Sequence, residues 1–358
     1  MSGPWLALLL CGITATAATT YTVTDLGTLG GNNSFATAIN NAGQVTGYAY
    51  LANNTSYHAF RWSAGVMTDI GTIRANLSQG FAINATGLTT GTSTAAGSST
   101  HPFLWNGSTL TDLGTNANRS GTGYGINDAG QVTGEIQFTN NGPYHAFVRT
   151  GATNTDIGTL GGTRSTGYDI NNTGRVTGAS QIAGNTAYRA FLWNGSTMTS
   201  LGTLGGTNSY GYAINNTNQI TGQAQTTANA AARAFLWNGT TMLDLGTLGG
   251  VNSTGYAINA AGQIVGSANP TASTANRAFI WTGGVMSDLN TMLVNGAAWT
   301  LTDARGINDL GQIVGTGTIN GQTRAFLLTP TPEPASFLLL SASLAILFRL
   351  KTKRETHA

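Results

Sequence analysis

A unit of about 44 residues recurs seven times along this chain of 358 residues, held in register by four markers. Repeats of this period cannot bury an apolar face singly, so the fold has to be a stack or a ring of like units. The first marker is the Asn that closes (Ala/Gly/Asp)-Ile-Asn, at Asn40, Asn84, Asn127, Asn171, Asn215, Asn259 and Asn308. A Gly follows seven residues later each time, at Gly47, Gly91, Gly134, Gly178, Gly222, Gly266 and Gly315. A Phe recurs at Phe60, Phe103, Phe147, Phe191, Phe235, Phe279 and Phe326. The fourth marker, Asp-(Leu/Ile)-Gly, is led by Asp25, Asp69, Asp112, Asp156, Asp244 and Asp288, with Ser200 in the remaining register and Asn290 in place of the last Gly.

Each unit holds four short segments of strand character, clearest in Tyr212 to Asn215, Gln219 to Gln223, Arg233 to Trp237 and Thr241 to Leu245. All are bounded by Gly, Asn or Ser/Thr, and none has the 3.6-residue apolar period of a helix. The turn from the first to the second carries Gly43, Gly87, Gly130, Gly174, Gly262 and Gly311, and in the remaining unit Asn218. Gly and Asn share a tolerance of positive φ, so this column marks a hairpin bend. Between the third and fourth lie Asn106-Gly107, Asn194-Gly195 and Asn238-Gly239, a strong hairpin signal. The linkers from second to third vary and admit Pro143 and Pro270, as exposed loops do.

A four-stranded antiparallel meander at this period is the signature of a propeller blade. The expected fold is all-β, a seven-bladed β-propeller spanning residues 19–330. The chain enters through a fourth-type strand, Tyr21 to Leu29, and leaves the repeats through a third-type strand, Arg324 to Leu328. The N-terminal strand is therefore expected to complete the last blade, a closure that removes open sheet edges.

Gly and Pro together make 57 of 358 residues, below the range of disordered low-complexity chains. Arg349, Lys351, Lys353 and Arg354 crowd the last ten residues and no Lys precedes them, which leaves the repeat body near neutral. It has no basic stripe for nucleic acid. The single Cys11 lies ahead of the repeats, so disulfide or thiol chemistry is not expected in them.

Both ends carry address-like patterns. Trp5 to Ile13 is apolar and Ala15-Thr16-Ala17 follows, so residues 1–18 are expected to be a signal peptide cut by signal peptidase. No Lys or Arg precedes the run, and Leu10 before Cys11 argues against a lipoprotein signal. Residues 331–358 comprise Pro332-Glu333-Pro334, an apolar segment from Ala335 to Phe348, and the cluster Arg349, Lys351, Lys353 and Arg354. The segment is short for a transmembrane helix, though flanking Arg and Lys extend its reach and should stay cytoplasmic.

This tail resembles the PEP-CTERM sorting signal of Gram-negative bacteria. The resemblance implies processing by an exosortase, transient anchoring in the inner membrane, delivery to the cell surface or medium, and a link to exopolysaccharide and biofilm. The repeats resemble the HAF family of extracellular repeats through His58-Ala59-Phe60 and His145-Ala146-Phe147, with Ala190 to Trp193, Asp244 to Gly250 and Ile258 to Gln263 as its extended form. That resemblance implies extracellular location and repeat architecture, and carries no defined activity.

The residue two before the marker Phe is His58, His101 and His145 in three units, with Pro102 in place of Ala after His101, then Arg189, Arg233, Arg277 and Arg324. Arg cannot ligate a metal and equivalent sites on neighbouring blades do not converge, so this position is expected to donate to a carbonyl or a recurring Asp. The recurring Asp is expected to cap a turn, since Ser200 can do the same. No Asp-x-Asp-x-Asp run suggests calcium, and no Gly-Lys-Ser/Thr follows the Gly-Thr-Leu-Gly-Gly loops, so phosphate cradling lacks support. Glycan hydrolysis needs two facing carboxylates. Outside the repeated Asp, only Asp128, Glu135, Asp169, Asp303 and Asp309 are available in the body, and nothing pairs them.

Departures from the repeat are freer to serve a ligand. Between Asp288 and Asn308 the unit gains five residues. This loop, Thr291 to Arg305, carries Met292, Leu293, Trp299 and Arg305. It is expected either to plug one mouth of the propeller or to present Trp299 and Arg305 as ligand contacts. The functional expectation is a non-catalytic secreted surface or matrix module, with no metal or cofactor, contacting an exopolysaccharide or a surface protein and touching the membrane only through its tail. The competing readings are an extracellular glycan-degrading enzyme and a membrane-retained sensor.

Overall fold

The computed structural model describes residues 19–74, 76–95, 99–114 and 119–331. They form seven four-stranded antiparallel sheets, six built from consecutive strands and one that joins the two ends of the chain. Blade 5 shows the plan: Gly205–Ile214 innermost, then Ile220–Thr226, Ala232–Trp237 and the short outer strand Met242–Asp244. The innermost strand is longer than the four residues expected. Gly205 adopts φ +99° and turns the Leu-Gly-Gly crossing straight into the sheet, where it pairs with Thr226. Pro270 likewise ends a strand, Ile264–Pro270, at a terminal position where its missing N–H is tolerated.

Each marker has a packing reason. The seven marker Phe side chains are fully buried, one per blade, between their own sheet and its neighbour. At the seven marker Gly residues a Cβ would lie 1.8–2.1 Å from a carbonyl oxygen of the innermost strand, a contact no side chain survives. The expected turn glycines take positive φ, and Asn218 joins them at +65°. At the outer hairpins Gly107, Gly195 and Gly239 have φ of +103°, +104° and +107°. The preceding Asn works through its side chain: Asn106 Oδ1 accepts from the N–H of Ser108 and Thr109, at 3.1 and 2.8 Å.

The ring closes as the entry and exit strands implied. Tyr21–Asp25 pairs antiparallel with Gln322–Pro330, and Asp25 faces Phe326. The same Asp-to-Phe register holds within single blades, as in Asp244 opposite Phe235. The five-residue insertion reinforces this closure and does not plug a mouth. It forms a 3-10 turn, Leu289–Met292, and packs Met292, Leu293 and Trp299 on the core of the last blade. Val294 N donates to Tyr21 O at 3.0 Å, and Val23 N donates to Asn295 Oδ1 at 2.8 Å. The outer edge of the closing strand is thus covered, as an exposed edge requires.

No helix among the described residues is long and apolar enough to cross a membrane. The signal-peptide segment, Pro332-Glu333-Pro334, the apolar tail segment and the basic cluster lie outside the described residues.

Candidate functional site

The central channel owes its lining to a defect repeated seven times. At one point in every blade the innermost strand carries one residue more than its partner: Thr37, Phe81, Tyr124, Tyr168, Tyr212, Tyr256 and Arg305 are each skipped by the pairing register. Such a bulge bends the strand and re-aims a side chain. All seven extra residues line a cavity of about 700 Å³ in the channel.

Five of the seven are aromatic, on consecutive blades. Ring centroids lie 5.2 Å apart for Phe81 and Tyr124, 5.4 Å for Tyr124 and Tyr168, 5.2 Å for Tyr168 and Tyr212, and 6.0 Å for Tyr212 and Tyr256. The tilted contacts are those favoured by ring quadrupoles. Arg305 ends the arc, its guanidinium 3.8 Å from the Tyr256 centroid and its Nε donating to Asp303 Oδ1 at 3.0 Å. In the blade between Arg305 and Phe81, Phe35 stacks on Tyr48 at 4.7 Å.

The electrostatics favour neutral hydroxyls and one internal ion pair. Burial raises the hydroxyl pKa of Tyr168, and raises that of Tyr212 to about 12 with a contribution from Tyr256. Both therefore remain O–H donors in neutral solution. Burial also lifts the Asp303 carboxyl, which Arg305 partly offsets. Burial alone would lower Arg305, but Asp303 and the facing Tyr256 hold it above its ordinary value. Among the described residues, Asp303 is the one carboxylate lining this cavity.

The far end of the channel is built for closure. Each marker Asn donates through Nδ2 to the backbone oxygen of the next blade's marker Asn, at 2.9 to 3.2 Å, and Asn308 returns to Asn40 at 3.0 Å. The seven preceding Ile side chains, from Ile39 to Ile307, form an apolar collar there. Their shared cavity is shallow, about 220 Å³.

The residues singled out from sequence fall into two groups. Arg305 stands in the aromatic mouth. Trp299 stands away from it, its ring 6.3 Å from Phe326 and nearly perpendicular, in the packing of the last blade. The His positions pair with the recurring Asp as expected: Nδ1 lies 2.9 Å from a carboxylate oxygen for His58–Asp69 and His101–Asp112, and 2.7 Å for His145–Asp156. The Arg positions differ. Arg189, in the same blade as Ser200, donates to the backbone oxygens of Tyr188 and, in the next blade, Thr207, while Arg324 donates to Gln322. Each recurring Asp also accepts from the N–H two residues on, as Asp244 does from Gly246 at 2.8 Å. Among the described residues no three His, Cys, Asp or Glu converge on a point that could hold a metal.

The remaining acids are engaged structurally. Glu135 receives Arg164 at 3.0 and 3.1 Å and the Thr166 hydroxyl at 2.7 Å. Asp128 and Asp309 accept from the backbone N–H of Ala85 and Ala260 at the closed end. Asp169 accepts from Ile170 and Ile214 between two blades, where burial raises its pKa to about 7.

Residues 71–330 match the protein family described as a protein of unknown function, DUF3466. The chain belongs to the DUF3466 family. No curated protein matches it. Among solved structures it is similar to the β-propeller domain of the Trilobed protease from Pyrococcus furiosus, at 7% identity and TM-score 0.50, covering 83% of this chain and 93% of that one. It is also similar to a puromycin-hydrolyzing peptidase from Mycobacterium tuberculosis, at 8% identity and TM-score 0.54, covering 84% of this chain and 53% of that one. A putative TolB from Agrobacterium tumefaciens matches at 10% identity and TM-score 0.42, with 88% and 100% covered. At these identities the likeness concerns the propeller fold alone. The Pyrococcus domain is described as having an open velcro topology, whereas here the N-terminal strand completes the last sheet.

Proposed function

We propose that this DUF3466 propeller is a non-catalytic binding module, exported and held at the bacterial surface or in its matrix, whose ligand enters the aromatic mouth of the channel. The observation that carries the reading is the mouth itself: a cavity of about 700 Å³, within the range of ligand sites, with an arc of aromatic rings and a few convergent polar groups. Acid–base hydrolysis of a glycan would use two carboxylates across a cleft. The cavity lining offers Asp303, already bound to Arg305. This favours binding over the enzyme reading.

Export rests on the sequence patterns of the two ends, with signal peptidase and an exosortase as processing partners and the HAF and PEP-CTERM resemblances as support. An exopolysaccharide or surface protein is the partner class. The test is a glycan array probed with the full chain, joined to intact-mass analysis of the protein recovered from its host. Saturable glycan binding and a mature C terminus lacking Lys351 to Arg354 are expected. A silent array together with a processed tail would reduce the role to a passive structural one. Retention of the basic cluster on a membrane-bound chain would favour the sensor.

A further inference from the structure

The groove between blades 5 and 6 continues the mouth outward. A second cavity, of about 380 Å³, is walled by Gln223, Asn252, Thr254, Asn269 and Asn276 together with Tyr256. Tyr256 also lines the aromatic mouth, so one ring joins the two cavities.

Blade 5 lacks an aromatic ring that three of its six siblings carry, the others holding Thr100, Asn276 and Thr323 there, and its groove is open. Three residues before the marker Phe, blades 1, 3 and 4 carry Tyr57, Tyr144 and Tyr188. These rings fill the space beside them. Tyr188 stacks on Tyr210 of the next blade at 5.8 Å, and Arg164 of the next blade lies 5.0 Å over Tyr144. Tyr57 packs on Tyr48 and Tyr50 at 5.4 and 5.5 Å. In blade 5 the position is Ala232. The backbone there is unchanged: Ala232 N donates to Asn252 Oδ1 at 3.0 Å, as Tyr188 N donates to Asn208 Oδ1 at 2.9 Å. The scaffold is kept and the ring is missing.

The lining is polar and uncharged, with no Asp, Glu, Lys, Arg or His in the groove among the described residues. Gln223 Nε2 donates to the Thr254 hydroxyl at 2.7 Å, and Asn269 Nδ2 donates to Asn276 Oδ1 at 2.9 Å. Among the described residues this leaves the Nδ2 groups of Asn252 and Asn276 and the Oε1 of Gln223 without a protein partner. Amides that donate and accept suit vicinal hydroxyls, and aromatic faces suit the C–H faces of sugar rings. In the mouth, Arg305 is already neutralised by Asp303. An acidic polymer would bring carboxylates with no free cation to meet them, at a desolvation cost.

Resting on the binding reading above, we propose that the aromatic mouth and the blade 5–6 groove form one extended site for a neutral oligosaccharide, part of it in the channel and part lying across Tyr256 into the groove. The decisive variant is Ala232→Tyr, which restores the residue that three sibling blades already accommodate. Asn252→Ala serves as a second variant should the first fail to fold.

The probes are oligosaccharides of glucose, galactose, mannose and N-acetylglucosamine graded in length from the disaccharide, each beside a uronate-containing counterpart, titrated against the full chain. Wild type should gain affinity with length. Ala232→Tyr should lower affinity for the longer neutral chains about tenfold, the loss of roughly one good contact set, while disaccharide affinity and thermal midpoint hold. Undiminished binding of long chains by both variants would overturn the groove. Tighter binding of the uronate counterparts would overturn the neutral class. If Tyr212→Ala weakens binding but neither groove variant does, the mouth stands and the extension falls. If wild type binds none of the sugars, both readings fall together.

Discussion

Asp169→Ala should change how the stability of this propeller depends on pH, and the sign is fixed by where the carboxylate sits. In other blades its position is held by Ala38, Ala82, Ala213 and Ala257, so the backbone accepts Ala there. In blade 4 the carboxylate accepts from Ile170 N and, across the blade boundary, from Ile214 N, both at 2.9 Å. Burial lifts its pKa from 3.8 to about 7, with the two N–H donors pulling the other way. A raised folded-state pKa means that the native state holds the proton more tightly than the unfolded chain does. The contribution is complete below about pH 4 and is lost as pH rises through about 7. Three units at roughly 1.36 kcal/mol each bound the effect at about 4 kcal/mol. Asp169 is only partly shielded as a residue, and solvent screening reduces the figure to about 2 kcal/mol. Urea unfolding of wild type and Asp169→Ala from about pH 4 to about pH 8 reads the difference. At the acid end wild type should be the more stable, by about 1 kcal/mol for each N–H bond kept. At the alkaline end that advantage should vanish. Parallel pH profiles for the two proteins would refute a desolvated Asp169.

Three further outcomes follow from the packing. Gly222→Ala places a Cβ 1.9 Å from Tyr210 O, so the sheet must open locally; a loss of more than about 3 kcal/mol in urea unfolding, or failure to fold, is expected. Asn295→Ala removes both bonds to Val23, at 2.8 and 3.3 Å, and amides of the closing strand should exchange about fivefold faster, for a loss of about 1 kcal/mol, with the other blades unaffected. Asn215→Ala removes one link of the seven-membered Asn ring and the acceptor for Gln219 N, which should cost about 2 kcal/mol by the same unfolding assay.

Much of the architecture was readable because its markers answer to local physics. The Phe column had to be buried, the Gly column had to admit a neighbouring strand, and Asn218 in a column of Gly betrayed a left-handed turn. The chain's entry through a fourth-type strand even gave the closure. The aromatic mouth was harder to see, although Tyr212 and its equivalents stand in plain view before the marker Asn. A bulge has no local signature, since the residue it skips is defined only once two strands are paired. Ala232 was silent for a related reason: a small residue in a variable segment becomes an opening only beside the next blade. The insertion shows the limit from the other side. Its five extra residues were countable, but its partner is the closing strand, with Val23 and Asn295 separated by 272 positions.

We propose that the aromatic mouth is where this propeller meets its ligand. It is tested most directly by calorimetric titration of the full chain with the tightest glycan from the array, before and after Tyr168 and Tyr212 are both replaced by Ala. Loss of two stacking rings, at about 1 to 1.5 kcal/mol each, predicts a fall in affinity of roughly 30- to 150-fold with the fold retained. Equal affinity in the double variant would place the ligand elsewhere and contradict the account.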